Sequence, residues 1–217
     1  MYSLDENILQ EAVNSLPQIS FKLSLNHPTE DFFYSPWVIK DEYKGTVWND
    51  VLKSLPEMQG EARLIKLDPG FCYYAHADID DRWHLSLQAE HSFLVDIQNE
   101  KLHKVQVDGK WYYFEATNIH SATNFSNKPR IQLVVRKLLQ KNKIIDPICV
   151  NLILKEYRHD YRYLFDSTVS PWLNKANKTG YISNFEKKDK SVKFIISEYA
   201  LSSLKQILPK EFELRCL

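Results

Sequence analysis

Residues 75–87 read AHADIDDRWHLSL, a segment that holds His76, His84, Asp78, Asp80, Asp81 and Arg82 and ends in the alternation of a β-strand. Polar groups at this density are costly in a core, so the segment calls for a metal, a catalytic pair or a surface. On an extended strand alternate side chains face the same way, which puts His76 and Asp78 on one side, able to hold one ion together. A third ligand from a distant strand would complete two imidazoles and one carboxylate on a single face of an octahedral iron, leaving three positions open. His120 is the candidate, in FEATNIHSATNFSNKPRIQLVV, directly before another strand that opens with Arg130. That spacing suits a dicarboxylate co-substrate, which needs two ligating atoms at the metal and a fixed bidentate cation at its far end.

The elements that must position these residues follow from composition and period. A chain of 217 residues, 44% hydrophobic and 26% charged, is long enough to bury a core as one good-sized domain, or as a domain with a smaller appendage. Twelve Tyr, eleven Phe and five Trp make it rich in aromatics, and five Gly leave few loose loops. No apolar run approaches the roughly 20 residues of a membrane span, and the start MYSLDENILQEAVNSL is acidic rather than a basic leader, so the expectation is a cytoplasmic protein without membrane contact. Cys72, Cys149 and Cys216 are far apart and form no CxxC, which points away from a disulfide framework or a zinc knuckle.

Charge is uneven although the net is zero. Residues 1–135 carry 12 Lys+Arg against 19 Asp+Glu, and residues 136–217 carry 16 against 9. The asymmetry suggests two parts, 1–137 and 138–217. The second presents a surface for an acidic partner, docks on the acidic first part, or is simply a solvated lysine-rich face; with no nucleic-acid motif in it, nucleic acid is not the expected partner.

Leu4, Ile8, Leu9, Val13 and Leu16 recur at helical spacing before Pro17, and Val47, Val51, Leu52 and Leu55 do so before Pro56, which predicts two N-terminal helices. From about residue 61 the period becomes two. EARLIKL, RWHLSL, SFLVDI, HKVQV, KWYYFEA and RIQLVV read as short strands, with Asp108-Gly109 as a tight hairpin turn. Such a series without intervening helices predicts an antiparallel sandwich or barrel. Further on, VNLILKEYRHDYRYLF reads as helical and SEYALSSLKQILP as a helix ending at Pro209.

YYAHADIDDRWHLSLQ followed by YYFEATNIHSATNFSNKPRIQLVV resembles the Fe(II)- and 2-oxoglutarate-dependent oxygenases, and among them the aspartyl/asparaginyl β-hydroxylase-like group, which includes some proline hydroxylases. The resemblance covers roughly residues 46–136 and rests on His76, the Arg82-Trp83-His84-Leu85-Ser86-Leu87 strand, His120 with Asn124 shortly after it, and Arg130. It implies a double-stranded β-helix core, a jelly-roll or cupin-like barrel with flanking helices and the metal at its open end; residues 138–217 match nothing in it and stand as an extension of unknown role. It implies Fe(II) on His76, Asp78 and His120, 2-oxoglutarate held at its distal carboxylate by Arg130, and Arg82 and His84 lining that co-substrate pocket. Family members differ at the position of Asp78, some having a carboxylate ligand and some none. The implied reaction uses O2 to hydroxylate an unactivated C–H of an Asp, Asn or Pro type side chain, in a free amino acid or a peptide, with release of succinate and CO2.

Two other classes share such a barrel: cupin-type metal enzymes without 2-oxoglutarate, which have no need of Arg130, and binding modules that perform no chemistry. Asp80 and Asp81 read as loop solvation, His27, His91, His103 and His159 as structure or surface, and Trp83 and Tyr112 as core packing.

Overall fold

The computed structural model describes all residues except 1, 31, 33, 34, 58, 79, 139–147, 155–164, 179, 180, 189, 190 and 211, and the expectation for His159 lies outside the described residues. The chain forms two compact units. The first comprises Met1–Tyr74, Asp80–Ala116 and His120–Leu139, and the second comprises Ala75–Ile79, Thr117–Ile119 and Gln140–Leu217.

In the first unit, helix α1 (Glu6–Asn14) starts where the Asp5 carboxylate accepts the Asn7 amide, with Glu6 in the first turn where the helix dipole favours an anion. Its Ile8, Leu9 and Val13 pack with Val47, Trp48, Val51 and Leu52 of α2 (Val47–Lys53). Together they cover one face of a five-stranded antiparallel sheet of order β1-β4-β10-β5-β8, formed by β1 (Lys22–Ser24), β4 (Gln59–Leu67), β10 (Arg130–Lys137), β5 (Arg82–Gln88) and β8 (Trp111–Phe114). Leu64, Leu85, Leu87, Trp111, Leu133 and Val135 supply that face of the sheet. Burial of each such side chain contributes about 1.5–3 kcal/mol.

The opposite face differs in kind. Side chains alternate along a strand, so Arg82, His84 and Ser86 of β5 and Arg130, Gln132 and Arg136 of β10 point away from the apolar core, yet all six are buried. A three-stranded sheet of order β7-β6-β9, from β6 (Ser92–Asp96), β7 (Lys101–Lys104) and β9 (His120–Asn124), shares a second small cluster with the larger sheet: Leu67 and Phe114 from one, Leu94 and Ala122 from the other. A separate pair, β2 (Asn26–His27–Pro28) with β3 (Trp37–Ile39), is tied to β4 where the Asn26 amide donates to the Gly60 carbonyl and accepts the Ala62 N–H.

The second unit has a four-stranded antiparallel sheet of order β12-β13-β11-β14, from β11 (Ile148–Leu154), β12 (Ile182–Lys188), β13 (Ser191–Ile196) and β14 (Phe212–Cys216), with helices α3 (Ser170–Lys178) and α4 (Glu198–Ile207). Val150, Leu152, Val192, Phe194 and Ile196 of the sheet are buried, as are Trp172, Leu173, Leu201 and Leu204 of the helices.

The architecture is mainly β with flanking helices, as the periods imply. Its sheets remain separate, and no closed barrel forms among the described residues. Three local expectations are corrected. Residues 148–154 form a strand between β13 and β14 rather than a helix. Asp108-Gly109 makes a turn with Gly109 at φ 72, but β7 and β8 leave it for different sheets; the hairpin partner of β7 is β6. The pair His76 and Asp78 lies outside any strand, β5 beginning only at Arg82. Among the described residues no helix is long and apolar enough to cross a membrane.

Candidate metal centre

His120 opens β9, where register with β6 sets it opposite Asp96. It is buried, and its ring meets the Phe114 ring edge to face at 5.2 Å. His76 and Asp78 are half-buried, and the Ser203 hydroxyl of α4 donates to the Asp78 main-chain carbonyl at 3.2 Å. One ligand atom from each of His76, Asp78 and His120 lies within 4.8 Å of the other two. Two neutral imidazoles and one carboxylate form the donor set that suits Fe(II) with open coordination positions, rather than the thiolate sets of structural zinc.

Arg130 is 4% exposed. Its Nη1 makes one long hydrogen bond to the Phe93 carbonyl at 3.4 Å, its Nε has no hydrogen-bond partner, and no carboxylate pairs with it among the described residues. Burial lowers the guanidinium from the ordinary arginine range to about 10, against an opposing pull from the nearby Tyr73 hydroxyl. It is thus a full positive charge in a low-dielectric place, an arrangement proteins ordinarily avoid unless an anion is to be received there.

His84, on the same face, stays neutral. Burial first, then the positive charge of Arg130 and Arg82, pushes His84 down to about 3, so its ring is uncharged at neutral pH. The His84 Nδ1 and the Gln132 Oε1 have no hydrogen-bond partner, while the Gln132 amide donates to the Ser86 hydroxyl at 3.0 Å. A cavity of about 320 Å³ opens on this face, lined by His84, Ser86, Gln132, Leu94, His103 and Tyr112 among others. That is small-molecule size. His103 and Tyr112, read from sequence as surface and core, therefore border the cavity; Trp83 packs against the apolar core as expected, beside the rings of Tyr2 and Tyr113.

Arg82 shares the face but has a partner of its own. Its Nε donates to Asp80 Oδ1 at 2.8 Å, and Arg136 Nε donates to Asp80 Oδ2 at 2.5 Å, with the Arg136 Nη2 at ion-pair distance from the same oxygen. Asp80 is 2% exposed, so the expectation of a solvated loop residue is corrected: it is a buried anion between two guanidiniums. Gly60 lets Arg136 pack there, since a Cβ at Gly60 would lie 3.2 Å from the Arg136 Cβ. Gln132 and Arg136 were discoverable from sequence, because 130, 132 and 136 share one alternation on β10; nothing local in the sequence singles out Ser203 or Asp80.

Residues 45–138 match the family model for aspartyl/asparaginyl beta-hydroxylase. The matched segment includes His76, Asp78, Arg82, His84, His120 and Arg130, and therefore the whole constellation described above. No curated protein matches the chain.

Proposed function

We propose that the protein is an Fe(II)- and 2-oxoglutarate-dependent dioxygenase that hydroxylates an unactivated C–H of an Asp, Asn or Pro type side chain, in an amino acid or a peptide. The observation that carries this reading beyond a hydroxylase family is Arg130, a buried cation lacking a carboxylate partner among the described residues, on the sheet face that also presents a neutral His84. His76, Asp78 and His120 would hold the iron. Iron bound there supplies the oxidation: O2 and 2-oxoglutarate are consumed, succinate and CO2 leave, and one oxygen atom enters the substrate C–H bond.

The chain's own part is binding, orientation and exclusion of water. Arg130 neutralises the distal carboxylate of 2-oxoglutarate through paired N–H donors, an interaction strengthened by its dry surroundings. His84, uncharged at working pH, offers a hydrogen bond without adding a second cation, and Ser86 and Gln132 complete a polar wall. Arg82 contributes to the same wall with its Nε held by Asp80. Phe114 packs edge to face against both His84 and His120, so one ring fixes the attitude of a pocket residue and a metal ligand. In this reading the two facing sheets of the first unit are a jelly-roll core.

The test is anaerobic titration of metal-free protein with Fe(II) and then 2-oxoglutarate, following the weak visible charge-transfer band that bidentate chelation of iron produces. The band is expected in wild type and absent in His120→Ala. Tight iron binding without a band on adding 2-oxoglutarate would refute the co-substrate and leave a metal enzyme of another kind; absence of iron binding would refute the metal centre.

A further inference from the structure

The strand carrying His120 and the strand carrying Arg130 are joined by only five residues, Phe125 to Pro129, and one side chain holds that connection. Asn124, the last residue of β9, is 0% exposed. Its Nδ2 donates to the carbonyls of Leu67 at 3.0 Å and Lys128 at 2.8 Å. Its Oδ1 accepts from the Ser92 hydroxyl at 3.0 Å, the Ser126 hydroxyl at 2.8 Å and the Ser126 amide at 3.1 Å. Its main chain is engaged as well, accepting from Gly70 and donating to Phe71.

These partners are not a random sample of the core. Leu67 is the β4 residue directly opposite Arg130 in the sheet register, and Lys128 lies two positions before Arg130. Ser92 sits opposite Asn124 at the start of β6, the strand whose Phe93 carbonyl receives a hydrogen bond from the Arg130 guanidinium. A primary amide has two N–H donors and one carbonyl acceptor, and here both donors are used on carbonyls flanking the Arg130 position. Ser126 adds a second node, its single hydroxyl proton shared between Asn124 Oδ1 and the Lys128 carbonyl at 2.7 Å, its oxygen accepting the Lys128 amide at 3.2 Å.

We infer that Asn124 is a positioning residue for anion capture: through Leu67, Lys128 and Ser126 it fixes where Arg130 enters β10, and so sets the cation at a defined distance along the chain from the metal ligand His120. The inference rests on the dioxygenase reading, and specifically on Arg130 as the 2-oxoglutarate anchor. Asn124 itself touches neither metal nor co-substrate. Its loss leaves His120 at the far end of β9, still paired with β6, while the turn that delivers Arg130 loses both carbonyl anchors.

The experiment compares wild type, Asn124→Ala, Ser126→Ala and Arg130→Ala as full-length chains. Each is loaded with Mn(II), which is redox-silent, and both Mn(II) affinity and the subsequent 2-oxoglutarate affinity are read by calorimetry. Misplacement of an orienting cation by an ångström costs on the order of 10- to 100-fold, so Asn124→Ala is expected to bind 2-oxoglutarate about 10-fold or more weakly. Ser126→Ala, which removes a half-exposed hydroxyl and leaves both Asn124 donors in place, is expected to weaken it about threefold. In both, Mn(II) affinity stays within about twofold of wild type, a split that general loosening of the fold does not produce. Equal losses of metal and co-substrate affinity, or unchanged co-substrate affinity in Ser126→Ala where Asn124→Ala fails to fold, overturn the positioning role. If Arg130→Ala weakens 2-oxoglutarate binding and neither of the other variants does, this inference alone fails; if Arg130→Ala has no effect, the dioxygenase reading fails with it.

Discussion

Replacing Arg130 with methionine should make the ligand-free protein more stable and at the same time blind to 2-oxoglutarate. The fall of the guanidinium from the ordinary arginine range to about 10 reflects the cost of holding this cation in the folded chain, and at 1.36 kcal/mol for each pH unit it amounts to about 3 kcal/mol. The sign follows from proton counting. Above about pH 10, up to the ordinary arginine range, the unfolded chain binds the proton more tightly than the folded one, so stability rises with pH there, and below pH 10 the whole penalty is present. Methionine fills much of the same volume without a charge, and replacement of buried ions by apolar groups of similar size is often stabilising by 1–4 kcal/mol. The side-chain hydrogen bond of Arg130 to the Phe93 carbonyl, at 3.4 Å, is long and offsets little of this. A net gain of about 2 kcal/mol should raise the midpoint of thermal unfolding by about 4–8 °C in a chain of this size. Wild type loaded with Mn(II), in contrast, should gain about 2.7 kcal/mol from 2-oxoglutarate at a hundred times its dissociation constant, and Arg130→Met nothing. Thermal melts of both proteins, with and without 2-oxoglutarate at pH 7.5, read all four values. A ligand-free Arg130→Met that is less stable than wild type would refute the reasoning, because it would mean that Arg130 has a structural partner of its own.

Three other expectations follow from the same geometry. Alanine at Asp78 or His120 leaves two of three ligands, and metal affinity measured by equilibrium dialysis should fall by about 100-fold, with the fold intact by circular dichroism. Asp80→Asn removes the anion shared by Arg82 and Arg136; with two buried guanidiniums left uncompensated, urea unfolding should show a loss of about 3–5 kcal/mol, far more than Asp81→Asn, whose carboxylate meets Tyr113 at the surface. His84, depressed to about 3, should make the first unit acid-sensitive: as pH falls from 6.5 toward 3 the unfolded chain takes up a proton that the folded ring refuses, costing up to about 1.4 kcal/mol per pH unit. His84→Gln should flatten that acid limb, and an unchanged limb would place the sensitivity elsewhere.

Period and turn chemistry reveal the larger elements because each of them buries one face. The leucine and valine stripes of α1 and α2, and the alternation of β4, β5, β6 and β10, are legible in that way. The misses have equally local causes. The strands β1, β2 and β3 are three residues each, too short to show a period. The apolar run at Ile148–Leu154 fits a buried strand as well as a helix, and what decides it is tertiary: β13 on one side and β14 on the other. Asp108-Gly109 carries the positive φ that its residue types promise, but a turn does not dictate that the strands leaving it pair with each other.

The candidate ligands His76, Asp78 and His120, which the structure brings together, stand out in the sequence by type and spacing, whereas the buried polar residues around them do not, for one reason. Alternation in RWHLSL and RIQLVVRK reads as one buried face and one wet face, whereas β5 and β10 have both faces buried, apolar toward the helices and polar toward the three-stranded sheet. On a wet face Asp80 would be a solvated acid and Arg136 an idle cation; inside, they must be matched, and Asp80 is shared between Arg82 and Arg136. That sharing leaves one positive charge over on the triad, and Arg130, on the same strand face, adds another with no carboxylate beside it among the described residues. A fold selected for stability alone would replace such a residue with something apolar. Its retention on the face where His84, Ser86 and Gln132 line a cavity sized for a small molecule makes sense when the missing negative charge arrives with a ligand.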